Sequence, residues 1–139
     1  MNRLSRVLTV VAIVEAAYAV VALTPPSLVE PLFGFRLNAD GHWALKLLGV
    51  SLAVQAAVAW LLRGQPHRGI AGALAAYQFG SATVDWMMWL ALRDDGIFAT
   101  TQARVAIVAA IPSHYLLGAL LTAAVVAAGR PVTSDVRTL

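Results

Sequence analysis

Cysteine is absent from this chain, which excludes disulfides, thiolate metal sites and thiol redox chemistry. Charge is nearly as scarce: 12% of the 139 residues are charged and 60% are hydrophobic. A soluble domain carries roughly a quarter charged residues, so the deficit points to lipid as the solvent. The arginines stand singly, without a basic cluster or interleaved aromatics, so the net charge of +3 is not a nucleic-acid signature. The sequence also has no phosphate-binding glycine loop, no nucleophile elbow and no Glu-x-x-His ligand pair. Nucleotide, serine-hydrolase and di-metal chemistry are left without support, and neither a metal nor another cofactor is expected.

What the chain does have is long apolar runs. Four occur, at Ser5–Thr24, Trp43–Leu62, Ile70–Leu92 and Val105–Gly129, each near the roughly 20 residues that cross a bilayer. In hydrocarbon only helices or closed barrels satisfy every backbone group, and the runs lack strand-like alternation. The expectation is an all-α fold: one transmembrane domain over residues 1–139, an up-down four-helix bundle in the cell membrane. Arg3, Arg6, Arg63, Arg68, Arg130 and Arg137 flank the runs on one side. Arg36, Arg93 and Arg104 on the other are diluted by Glu30, Asp40, Asp94 and Asp95. The positive-inside rule then puts both termini in the cytoplasm. The start, "MNRLSRVLTVVAIVEAAYA", has the outline of a signal peptide, but Glu15 interrupts its apolar core and the run continues to Leu23. It is read as a retained span.

Between the runs, Thr24-Pro25-Pro26 is a strong breaker. The segment around Leu32, Phe33 and Phe35 is too apolar for a solvated loop and is expected to fold over the mouth of the bundle at the interface. The short "RGQPHRG" makes the second and third runs antiparallel neighbours, and "RPVTSDVRTL" reads as a polar tail. In the third run Gly72, Ala76 and Gly80 form a small-residue ridge, for packing within the bundle or for a homodimer. Ala76 and Asp85 fall on opposite sides, giving one packing face and one polar face.

Ionisable residues inside a membrane cost roughly 2.5–3.5 kcal/mol on insertion scales and usually carry function. Each run supplies one: Glu15, Lys46, Asp85 and His114. Counted at 1.5 Å per residue, Glu15 and His114 lie about 13 Å from the outer ends, Asp85 about 10 Å and Lys46 about 5 Å. Tyr18 shares a face with Glu15, while Gln78, Ser81, Asp85 and Met88 make a stripe flanked by Trp86 and Trp89. Pro112 should kink the last helix near His114 and Tyr115, with Gly118 leaving space. An outward-opening cavity for a lipophilic molecule is expected, with Glu15, Asp85 and His114 as catalytic residues. Tyr18, Lys46, Gln78, Ser81, Trp86, Trp89 and Tyr115 would contact the substrate. Lys46 either snorkels outward or pairs with Asp85, and both readings stand. Two carboxylates in a low-dielectric pocket tend to titrate apart, one acid and one base. That suits isomerisation, cyclisation or epoxide opening, with Trp faces stabilising a developing cation.

The first run ending in prolines, the outer "LFGF" and the segment "ALKLLGVSLAVQAAVAWLLRG" resemble small four-helix membrane proteins of the DoxX-like group. More faintly, "AYQFGSATVDWMMW" and "IPSHYLLGALL" are similar to the EXPERA domain of sterol isomerases and the sigma-2 receptor. The second resemblance implies acid/base chemistry on a lipophilic ligand. The first implies a non-catalytic accessory subunit of a membrane redox complex, docking a partner or a quinone-type cofactor. No catalytic residue is carried across from either family.

Overall fold

The computed structural model describes residues 2–92 and 95–129. The polar tail, with Arg130 and Arg137, and the loop residues Arg93 and Asp94 lie outside the described residues. The chain is all-helical, with five α-helices and no strand among the described residues. Helix α1 runs Arg3–Leu23, begun by Asn2, whose side chain accepts the Ser5 N–H at 2.8 Å, and ended before Pro25-Pro26. Helix α2, Pro26–Phe33, starts on a proline, where a missing N–H is harmless, and stops at Gly34 with φ of 71°.

Helix α3 spans Ala39–Leu62 and begins before the expected Trp43. Asn38 caps it through the Gly41 N–H at 2.8 Å, and Asp40 sits in its first turn, where the helix dipole favours an anion. Helix α4 spans Arg68–Leu92, a 3-10 turn covers Gly96–Phe98, and α5 runs Thr101–Ala128. Thr100 caps α5 by accepting the Ala103 N–H at 3.1 Å. The helix continues through Pro112, and Ser113 donates to the Ala110 carbonyl at 2.6 Å.

Helices α1, α3 and α5 are long and apolar enough to cross a membrane and mark this as a membrane protein. Helix α4 is as long but less apolar. Gln78, Ser81 and Asp85 lower its apolarity.

Packing pairs α1 with α3 and α4 with α5, and contacts between α1 and α5 join the pairs. Helices α3 and α4, expected as neighbours across the short turn, do not pack along their length. The short connection fixes only that their ends are close. One end of the fold is a dry core in which Leu4, Leu8 and Val11 meet Leu74, Leu117 and Leu121. Small residues bring α1 against α3: Ala19 and Ala22 are buried, as are Gly49, Ala56 and Ala59. A Cβ on Gly49 would stand 2.8 Å from Leu23 Cγ and 3.1 Å from Ala22 Cβ.

The expected ridge on α4 does not pack internally. Ala76 and Gly80 are exposed, and a Cβ on Gly72 or Gly80 would meet nothing within 4 Å. The buried side of α4 is instead Ala71, Leu74, Ala75, Gln78 and Ala82. Tertiary packing chose the face carrying leucine, because the leucine contributes more apolar area than a glycine ridge can.

At the other end of the fold α2 lies across the helices. Val29 is buried, and Phe33 and Phe35 stack with centroids 6.4 Å apart. Thr100 Oγ1 donates to the Gly34 carbonyl at 2.6 Å and Gln102 Nε2 to the Leu32 carbonyl at 2.5 Å, tying α2 to the start of α5. Glu30 Oε1 accepts the Leu37 N–H at 2.8 Å and pairs with His42 Nε2 at 2.7 Å. The His42 hydrogen bond, then the Leu37 N–H and the charges of His42 and Arg36, hold the Glu30 carboxyl below its usual range.

Gly49→Leu should destabilise the protein by about 1–3 kcal/mol through overpacking, whereas Gly72→Ala should raise stability by up to about 1 kcal/mol through helix propensity; thermal unfolding in detergent reads both. Glu30 has a lowered folded pKa, so its stabilising contribution is complete above the ordinary carboxylate value of about 4.3 and is lost as pH falls through the lower folded value. Glu30→Gln should therefore be less stable than wild type at neutral pH, and the gap should close on acidification below that value.

Candidate functional site

Three helices supply one chain of polar groups in the interior. Glu15 on α1 and Gln78 on α4 are each 0% exposed. The Gln78 Nε2–H donates to Glu15 Oε1 in a short hydrogen bond. On its other side Gln78 Oε1 lies 2.6 Å from His114 Nδ1 on α5. His114 Nε2 in turn lies 3.8 Å from Asp85 Oδ2, with side-chain exposures of 13% and 29%. Glu15 Oε2 is buried without a hydrogen-bond partner.

The donor pattern decides the imidazole's tautomer. An amide oxygen only accepts, so Nδ1 must carry the hydrogen facing Gln78. In the neutral ring Nε2 then presents a lone pair toward Asp85. Tyr18 holds the ring from the side, stacked at 6.3 Å and 21°, and its hydroxyl lies 3.2 Å from Ser113 Oγ. Phe79, rather than empty space, covers Gly118: its ring atoms stand about 3.0 Å from where a Cβ would be.

Asp85 and His114 border a cavity of about 490 Å³, together with Tyr18, Tyr77, Gly80, Ser81 and Val84, and with Leu48 and Leu52 of α3. A second, apolar cavity of about 190 Å³ lies under α2, lined by Val29, Phe33 and Phe35 among others. Tyr18, Leu48, Leu52 and Ala110 border both, so the two adjoin. A polar pair thus sits beside an apolar recess, the arrangement that holds a lipophilic molecule by its polar group.

The expected site residues separate into two groups. Glu15, Tyr18, Gln78, Ser81, Asp85 and His114 come together, although Glu15 stands behind Gln78 and does not border the cavity. The stripe on α4 divides: Gln78 turns inward, Asp85 and Ser81 face the cavity, and Met88 is exposed. Gly80, on the supposed packing ridge, borders the same cavity as Asp85, so α4 has no clean polar side.

Lys46 does not pair with Asp85; it reaches the end of α1. Its Nζ donates to the Ala22 carbonyl at 2.9 Å and the Thr24 carbonyl at 2.5 Å. The carbonyls at the end of α1 need donors, and an ammonium also suits the negative end of the helix dipole. Trp86 and Trp89 stack on each other at 5.3 Å and 12° and do not border the cavity. Tyr115 is exposed and its ring lies against Phe79 at 6.2 Å. Among the described residues no three His, Asp or Glu side chains gather as a metal-ligand group.

Tyr77 and Val84 were missed as lining residues, although Tyr77, Ser81, Val84 and Asp85 follow an i, i+4, i+7, i+8 pattern that marks one helix face. Leu48 and Leu52, also four apart, gave no signal beyond being apolar. Comparison with protein families, with characterised proteins and with solved structures finds no match to this chain.

The bridge can be tested directly. Gln78→Leu strips Glu15 and His114 of a partner at once and should cost about 2–5 kcal/mol. In a double-mutant cycle, Gln78→Leu and Glu15→Leu together should cost clearly less than the sum of the two, as measured by unfolding in detergent.

Proposed function

We propose that this chain is a multi-pass membrane enzyme performing acid/base chemistry on a lipophilic small molecule. In this reading α4 is a fourth span, the helices form an up-down bundle, and both termini are cytoplasmic. The outward side of α4 supports the fourth span, since Val84, Trp86, Met87 and Leu90 are exposed and apolar. A length near 37 Å for 25 residues is sufficient.

The observation that carries the proposal is the Asp85–His114 pair, 3.8 Å apart at the edge of a cavity and backed by the buried Gln78–Glu15 bridge. Asp85 and His114 would touch the substrate as acid and base. In an alkene isomerisation one gives a proton to one carbon while the other removes a proton from a neighbouring carbon, so no net proton is consumed. In epoxide opening or cyclisation the acid protonates the departing oxygen or the alkene, and the base removes the proton that closes the sequence. Glu15 acts through Gln78 as a positioning residue. It orients the amide, the amide fixes the imidazole tautomer, and the lone pair on Nε2 stays toward the cavity.

Protein in vesicles, incubated in heavy water with a total lipid extract, tests this over many lipophilic molecules at once. Products that acquire deuterium at carbon, or that elute as new isomers, report turnover. Asp85→Asn should lower their formation by about 10²–10⁴-fold. Glu15→Leu should lower it strongly, and Glu15→Gln, whose side-chain oxygen still accepts from Gln78, should recover much of the loss. Wild-type turnover in Asp85→Asn would sink the catalytic reading and leave the accessory-subunit reading, which draws on the α4 face of half-buried Gly72 and exposed Ala76 and Gly80.

A further inference from the structure

We infer that the ligand reaches the Asp85–His114 cavity sideways from the membrane, through a seam between α3 and α4, and that it is a lipid-soluble molecule bearing a hydroxyl donor. The inference rests on the proposed ligand cavity and names its route and ligand class. The route follows from which walls are closed. Helix α1 packs on α3 and α4 on α5, but α3 and α4 do not pack along their length. The cavity has its walls on those two unpacked helices: Leu48 and Leu52 on one side, Tyr77, Gly80, Ser81, Val84 and Asp85 on the other. Gly80 and Val84 are exposed, and space beyond the Gly80 Cα is open to 4 Å.

The other approach is partly covered. Helix α2 covers that end with Phe33 and Phe35, held by the Thr100 and Gln102 hydrogen bonds and by the contacts of Glu30. A molecule from that end would have to pass α2, whereas a membrane-dissolved molecule meets no packed helix contact along the seam between α3 and α4.

A helix of a second copy is a poor occupant. Laid in the seam it would cover Asp85 and His114, 29% and 13% exposed, with apolar surface and leave the Asp85 carboxyl and His114 Nε2 with only each other, 3.8 Å apart, in hydrocarbon. A small molecule satisfies them if its polar group matches. The neutral His114 ring offers an acceptor at Nε2, and Asp85 keeps an accepting carboxyl oxygen whether it is charged or carries the acid proton, so the complement is a donor such as a hydroxyl. The apolar body then lies along Leu48, Leu52 and Val84 toward the recess under α2.

A photoreactive long-chain alcohol and its methyl ether, each dissolved in phosphatidylcholine vesicles holding the protein, supply the test. Labelling of the 77–85 segment by the alcohol should exceed that by the ether about tenfold, the worth of one hydrogen bond. Gly80→Trp, which fills the seam, should lower alcohol labelling to the level of the ether, while Gly80→Ala, which leaves it open, should label as wild type. Joining Leu32→Cys to Gln102→Cys with a short bis-maleimide cross-linker, in a chain with no other cysteine, should leave labelling unchanged. Loss of labelling on cross-linking with none in Gly80→Trp would overturn the lateral route. Equal labelling by alcohol and ether would overturn the ligand class. Unchanged labelling in Gly80→Trp together with a changed oligomeric mass would assign the seam to a second copy. Labelling needs no turnover, so these outcomes stand apart from the fate of Asp85→Asn in the deuterium assay.

Discussion

A carboxyl group half-way along an apolar helix must find its hydrogen bonds within the protein, and Glu15 finds its partner in the Gln78 amide. Gln78 is itself fully buried and has two ends to satisfy, so it reaches His114 with the other. One side chain therefore ties α1, α4 and α5 together and sets which imidazole nitrogen carries hydrogen. Neither consequence exists without the other. The arrangement of the helices around the cavity and the chemistry offered to a ligand both follow from this bridge.

The rest of the fold is organised around that polar layer. On one side of it the helices close on a core of leucine, valine and alanine. On the other side packing is looser. The two tightly packed pairs diverge enough to leave a cavity, α2 lies across the end, and Lys46 satisfies the carbonyls where α1 stops. An intramembrane cation that looked like part of the site is a helix cap, and its role is to let α1 end beside α2.

Much of this was legible from residue order. The apolar runs, the Pro25-Pro26 break and the folded-over segment at Phe33 and Phe35 follow from composition and periodicity. So does the notion that Glu15, Asp85 and His114 keep company, because isolated ionisable groups in hydrocarbon are costly. What the sequence could not convey was pairing. The glycine ridge of α4 and its leucine-bearing face both suit a helix contact, and only the neighbours decide between them. Lys46 was open to snorkelling or to pairing with Asp85 by depth, and the free carbonyls of α1 were not among the partners considered. Trp86 and Trp89 sit near the right depth but turn toward each other. Depth along a helix is readable from a sequence; direction around it depends on which helices pack, and here the consecutive α3 and α4 do not.

The state of the His114 ring tests the account most directly. Nitrogen-15 spectra of protein labelled at histidine, with His114 assigned by its loss in His114→Asn, distinguish the two neutral tautomers. The bridge predicts a protonated Nδ1 and an unprotonated Nε2 in the wild type, with that preference lost in Gln78→Leu. A ring protonated at Nε2, or one indifferent to the Gln78 substitution, would contradict it.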